Sequence, residues 1–178
     1  DDRIGGLNDE QKQLVKNIKD DSERLLKISS EVLNMAQVET GRIQLNFQKI
    51  KSEDVLKYAV DSLKFQAEQK HITLQVEIEK DLPFVNADLE KTAWVMVNLL
   101  SNAVRYSPEN DKIIIKAAKL NNQIEFSVRD NGKGIDPRYQ DRIFDKFFHI
   151  PGNPKHGTGL GLAIAKEFIS AQNGQIGL

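Results

Sequence analysis

Asn98 and Asn102 stand four residues apart in LEKTAWVMVNLLSNAVRYS, so their side chains share one face of a helix. An asparagine carbonyl is a hard oxygen, the kind of ligand Mg²⁺ accepts while keeping waters of its own. Arg105 and Tyr106 follow at the helix end. A second candidate is Asp130. The run before it, QIEFSVRD, alternates as a half-buried strand does: Ile124, Phe126 and Val128 point one way, Glu125, Ser127 and Arg129 the other. By that count Asp130 falls on the apolar face, where an unpaired carboxylate is costly and wants a partner. Gly132 and Gly134 follow at once. A third candidate is GTGLGL, residues 157–162, which opens directly onto a helix. A glycine turn there exposes free N–H groups and the positive end of the helix dipole, a place for phosphate. No Lys-Ser or Lys-Thr follows, so it is not a Walker A loop. Each feature alone also has a plainer reading: solvent-facing asparagines, a carboxylate on ordered water, a tight packing turn.

The elements that must position these residues can be read from periodicity. Leu7, Gln11, Leu14, Ile18, Asp21, Leu25, Ile28, Val32 and Met35 alternate steps of four and three, and seven of the nine are apolar. This is the seam of one long amphipathic helix, about 45 Å for some thirty residues, with Gly41 as its stop. Such a stripe needs a partner: its own globular domain could be one, but its regularity favours a bundle with another chain or with further sequence. KSEDVLKYAVDSLKFQAEQK reads as a helix with Ser52 as N-cap and acids in its first turn. HITLQVEIEK reads as a strand through Ile72, Leu74, Val76 and Ile78. Asp88 caps the asparagine helix, which Ser107-Pro108 ends. KIIIKAAKL and QIEFSVRD form a hairpin across Asn121-Asn122. GLAIAKEFISAQNG is a helix with its stop at Gly174. The expected fold is α+β: a two-layer α/β sandwich, its one mixed, mostly antiparallel sheet covered on one face by helices, preceded by the long helix. Residues 136–156 lack periodicity and carry Arg138, Arg142, Lys146, Lys155, His149 and His156; so long a connection is functional or mobile.

The whole chain sets bounds. It has 178 residues, 39% hydrophobic and 29% charged, enough for one globular domain and an appendage. Net charge of −1 creates no field favouring nucleic acid or an anionic membrane. Without cysteine there are no disulfides and no thiolate metal sites. No apolar run approaches the roughly 20 residues that span a bilayer. The chain begins with Asp1 and ends after a Gly-Gln-Ile-Gly run, and the expectation is an excised piece of something longer.

Taken in order, Asn98–Ala103, Asp130–Ile135, Ile143–Phe148 and Gly157–Leu162 resemble the N, G1, F and G2 boxes of sensor histidine kinases of two-component systems. The resemblance is to their catalytic ATP-binding domain, within the gyrase-like and chaperone-like ATPase group, and it covers residues 7–178. It implies residues 1–45 as the second helix of a dimerisation and phosphotransfer hairpin, and residues 46–178 as the ATP-binding domain, truncated at its C-terminus. It implies ATP and Mg²⁺ as cofactors. Asp130 would accept from the adenine amine, with Gly132, Gly134 and Ile135 close to the base. Asn102 would hold the metal with Asn98 beside it, and Arg105 and Tyr106 would approach phosphate and sugar. Residues 136–156 would form the nucleotide lid, anchored by Phe144, Phe147 and Phe148. Gly157, Thr158, Gly159, Leu160 and Gly161 would hinge the lid and face the triphosphate.

The resemblance also implies partners: a homodimer through residues 7–39 and a response regulator, with no nucleic acid and no membrane contact by this stretch. The setting would be the cytoplasmic part of a membrane receptor. In hydrolysing relatives a glutamate stands four residues before the metal asparagine; here Asn98, a poor general base, occupies that place. The phosphoacceptor would be a histidine in a His-acid-Leu/Phe-Arg pattern, which His71, His149 and His156 do not match. His71 reads as a surface residue, and His149 replaces the arginine many relatives carry after the F box. The alternatives in the same group are a non-catalytic ATP-sensing or dimerisation module, whose boxes would be damaged, and a related ATPase.

Overall fold

The computed structural model describes residues 5–152 and 157–178. The chain opens on α1 (Asp9–Glu39), the long helix that the seam predicts. Asn8 accepts from the Gln11 N–H, and the Gln11 side chain accepts from the Asn8 N–H, so two orphan donors are satisfied reciprocally. At the other end Gly41 takes φ 63°. The Gly41 and Arg42 N–H groups then turn back onto the Val38 and Gln37 carbonyls, a closure that needs a left-handed residue there.

Two sheets follow, where the sequence suggests one. β1 (Gln48–Ile50) pairs antiparallel with β3 (Val85–Ala87). Three residues are too few for an alternation to be seen, so neither strand is legible in advance. The second sheet has the order β2 (Thr73–Ile78), β4 (Lys112–Leu120), β5 (Gln123–Arg129). Its central strand runs parallel to β2 and antiparallel to β5, which makes the expected hairpin with Asn121 left-handed at φ 56°.

α2 (Ser52–Gln69) and α3 (Leu89–Tyr106) cover this sheet. The N-cap of α2 is Lys51, not Ser52. Ser52 is already helical and buried by packing, and its hydroxyl finds no partner there. The α3 cap is as expected: Asp88 Oδ1 accepts from the Lys91 N–H at 2.9 Å, and Oδ2 accepts from the Asn46 N–H at 2.8 Å. α3 presents three faces. Met96, Leu100, Ala103 and Val104 enter the main core with Val55, Leu56 and Ala59 of α2 and Ile113 and Ile115 of β4. Val95 enters a second core with Met35 of α1 and Ile164 and Phe168 of α5 (Gly161–Ala171). Asn98, Asn102 and Arg105, spaced by four and three, form the third face.

After the C-cap Gln172, α5 is closed by Asn173, left-handed at φ 60°, one residue before the glycine expected to stop it. The Asn173 and Gly174 N–H groups return to the Ser170 and Ile169 carbonyls. Between β5 and α5 the described part of the long connection holds one short helix, α4 (Pro137–Gln140), capped by Asp136.

Candidate functional site

The third face of α3 is the floor of a cavity of about 770 Å³. Asn98 is buried, and its Nδ2 donates to the Trp94 carbonyl at 3.0 Å. That leaves Oδ1 turned toward the glycine loop: a Cβ on Gly161 would stand 2.7 Å from it. Asn102 and Arg105 are half-buried along the same face, and Tyr106 is exposed at the rim. Lys70 fixes this end of α3. Its ammonium donates to the Val104, Arg105 and Ser107 carbonyls at 3.0, 2.9 and 3.1 Å. A cation on the last carbonyls complements the negative end of the helix dipole.

The opposite wall is the turn after β5. Asp130 is exposed, where alternation places it on the apolar side. The strand stops at Arg129, so its register no longer binds the next residue. Instead Asp130 Oδ1 accepts from the Gly132 N–H at 2.8 Å, an Asx turn within the loop. Gly132 is required there, since a Cβ would come 2.7 Å from that carboxylate and 2.9 Å from the Tyr106 carbonyl. The loop is therefore folded tightly onto the end of α3. Asn131 ties it to the sheet through Asp111 Oδ1 at 2.9 Å. That bond, together with the Lys112 N–H, holds the Asp111 carboxyl below its ordinary range. Asp136 is lowered likewise, by the Arg138 guanidinium.

The glycine loop closes the third side. Gly157 and Gly159 are left-handed at φ 93° and 73°, and a Cβ on Gly159 would strike the Phe147 backbone at 2.8 Å. The Phe147 N–H donates to the Gly159 carbonyl at 2.9 Å. His149 sits over the same loop, Nδ1 3.1 Å from the Phe147 carbonyl and Nε2 3.4 Å from that of Gly157.

Of the residues expected in the site, Asn98, Asn102, Arg105, Tyr106, Asp130, Gly134 and Ile135 line one cavity with Gly157, Thr158, Gly159 and Gly161. Gly132, Phe147 and Leu160 are not part of that lining. Leu160 is buried in the second core, and the Phe147 ring is exposed. Phe147 is thus held to the loop through its backbone, while Phe144 and Phe148 are half-buried and face the cavity. His71 is exposed at φ 55°. His156, with Asn153–Lys155 of the expected lid, lies outside the described residues. Among the described residues no three His, Asp or Glu side chains gather as a metal cage. A metal here would depend on Asn102 and on oxygens brought by a ligand, which suits Mg²⁺.

Sequence reading missed Glu31. It stands on α1, is buried, and lines the cavity. The signal was available in a second stripe, Ile28, Glu31, Met35 and Val38, which diverges from the seam by one position. All four are buried or half-buried. Lys70 was missed as well, because a helix cap supplied from another element leaves no local pattern.

Comparison with known proteins gives the family and the fold. Residues 87–178 match the family described as histidine kinase-, DNA gyrase B- and HSP90-like ATPase, and the chain belongs to that family. Similar curated proteins include the alginate biosynthesis sensor protein KinB of Pseudomonas aeruginosa, 32% identical over 92% of this chain and 27% of its own length. The sensor protein DivL of Caulobacter vibrioides is 28% identical over 99% of this chain and 23% of its own length. The chain thus spans about a quarter of these relatives. Among solved structures, full-length ShkA in complex with AMPPNP superposes with a TM-score of 0.81 at 27% identity, covering 98% of this chain and 36% of that one. The Acinetobacter baumannii histidine kinase AdeS shares the fold, with a TM-score of 0.73 at 21% identity over 94% of this chain and 76% of its own. Among the described residues no helix is long and apolar enough to cross a membrane.

Proposed function

We propose that this chain is the ATP-binding, phosphate-donating part of a sensor histidine kinase of a two-component system. Residues 46–178 hold the nucleotide, and residues 1–45 contribute the second helix of a dimerisation and phosphotransfer hairpin. The observation that carries the reading is the convergence of Asn98, Asn102 and Arg105, the Asp130 turn and the Gly157–Gly161 loop on one cavity. Asp130 accepts from the adenine amine, with Gly134 and Ile135 beside the base. Asn102 would supply an oxygen to Mg²⁺, whose charge would offset that of the phosphates when bound. Arg105 and the loop N–H groups take the remaining phosphate oxygens. The ShkA structure, bound to an ATP analogue, supports the nucleotide assignment.

In the transfer, a histidine nitrogen bonds to the γ-phosphorus as the bond to the bridging β–γ oxygen breaks and ADP leaves. This chain's part is to position and neutralise. With Asn98 where a hydrolase would carry its base, water is not activated. The chain is therefore not self-sufficient as a kinase, its acceptor histidine standing on another helix. A response regulator takes the phosphate onward, and the site works on the cytoplasmic side. The complex of histidine kinase ThkA with its response regulator TrrA, similar to this chain in fold, supports that partner class.

The test is nucleotide selectivity by calorimetry. Mg-ATP binds and Mg-GTP, which presents a carbonyl where ATP has the amine, does not compete. Asp130→Asn weakens ATP binding by about 1.5–3 kcal/mol, the loss of one charge-assisted hydrogen bond. Equal affinity for ATP and GTP removes the adenine role from Asp130.

A further inference from the structure

Only 4% of Glu31 is exposed, although the other charged side chains described on its helix are in solvent. It shares the cavity with Asn98, Asn102, Arg105 and the glycine loop. The Thr158 hydroxyl donates to Glu31 Oε2, and the same hydroxyl accepts from the Leu160 N–H at 3.2 Å. A second bond joins the same two parts of the molecule: Lys146 Nζ donates to Glu39 Oε1 at 2.9 Å. Glu31 and Glu39 are two turns apart, so both clips lie on one face of α1, with Met35 between them in the second core.

We propose that this contact is an autoinhibitory latch, in which the Glu31 carboxylate competes with the phosphates of a bound nucleotide for the glycine loop. The inference rests on the ATP-binding reading above. A carboxylate and a phosphate are both anionic oxygen acceptors. Each is served by a hydroxyl and free N–H groups at a helix start, and the two repel when crowded into one water-poor end of a cavity. Triphosphate entering that end displaces Glu31 from Thr158. The C-terminal half of α1 then loses this hold on the loop, and the Lys146–Glu39 pair that also joins helix and lid is exposed and weak. The coupling runs both ways: whatever draws α1 off the loop tightens nucleotide binding by the same factor. The long helix thereby reads the occupancy of the site.

The chain's single tryptophan reports the event. Trp94 packs edge-on to Phe168 with ring centres 5.4 Å apart, in the cluster that receives Met35 of α1. Calorimetry on the chain and its Glu31→Ala variant, with a Mg-bound non-hydrolysable ATP analogue and with adenosine, separates the outcomes. The variant binds the triphosphate about fivefold or more tightly than the original chain, adenosine affinity does not move, and Glu31→Gln falls between. In the original chain, saturating triphosphate changes Trp94 emission; in Glu31→Ala the change is smaller. Unchanged or weakened triphosphate binding in the variant overturns the latch, as does an equal gain for adenosine. A Trp94 signal indifferent to nucleotide in the original chain overturns it without recourse to any variant. Failure of the original chain to bind any nucleotide overturns the functional reading itself, and the latch falls with it.

Discussion

Asn102 and Asn98 are one turn apart and chemically alike, yet their surroundings divide their work. Asn98 is spent on the Trp94 carbonyl and on close contact with Gly161, so it shapes the loop. Asn102, half-buried and lining the cavity, is the one we propose meets a cation. Asn102→Ala should therefore weaken Mg-ATP binding roughly tenfold, about 1.4 kcal/mol, and leave adenosine binding intact. A matching loss for adenosine would show that the asparagine holds the base and not the ion. The pair itself was legible from spacing, but its division of labour was not, because it depends on a glycine far along the chain. Asp130 carries the same lesson in reverse. Alternation predicts a buried carboxylate, but a strand ending one residue earlier puts it in solvent on its own loop amide. The loop has a pH limit as well. Asn131 holds the Asp111 carboxyl below 3.8, so the contribution of that bond is complete above the ordinary value and is lost as pH falls through the lowered one. A carbon-detected titration should place the Asp111 midpoint below 3.8, and Asn131→Ala should return it toward that value. An unmoved midpoint would mean that the bond does not form in solution.

At the scale of elements, α3 organises the site because its three faces serve two cores and a cavity at once. Its start was readable, since Asp88 is a strong cap next to an apolar repeat. Its end was readable only as a stop at Ser107-Pro108. What holds that end is Lys70, from the C-cap of α2, and no local pattern encodes a lysine reaching across more than thirty positions. Lys70→Met leaves three carbonyls without their cation. The expected cost is about 1–3 kcal/mol of folding stability, read as a lower urea midpoint with unchanged slope. Because Arg105 is one of the residues so capped, triphosphate affinity should fall too, while Lys70→Arg restores part of both. Stability lost with affinity fully retained would reduce Lys70 to a packing role. The two short strands β1 and β3 were illegible for a simpler reason: a strand of three residues carries less than two periods of alternation.

At the scale of the molecule, α1 leads two lives. Its C-terminal half is claimed by its own chain through Glu31, Met35 and Val38. Most of its seam is not: Leu14, Ile18, Leu25 and Val32 are each more than half exposed, and only Ile28 and Met35 of the apolar seam positions are drawn in. The heptad spacing that made the helix legible is thus mostly a pattern for a contact this chain does not make with itself, while the stripe it does use shares Ile28 and Met35 with the seam and leaves it at Glu31 and Val38. An amphipathic helix of 31 residues with its apolar stripe in water gains most of its stability from whatever covers that stripe. A second copy of the same seam is self-complementary about a two-fold axis, the commonest symmetry of soluble assemblies. We therefore expect sedimentation to find a dimer. Each seam residue buried there contributes up to about 1.5–3 kcal/mol, so Ile18→Glu with Leu25→Glu should give a monomer and a lower α1 helicity. Neither residue lines the cavity, and the monomer should keep its nucleotide selectivity. A double variant that still sediments as a dimer would place the contact elsewhere. A single-copy chain with fully helical α1 would show that the seam awaits a different helix, such as the one that carries the acceptor histidine.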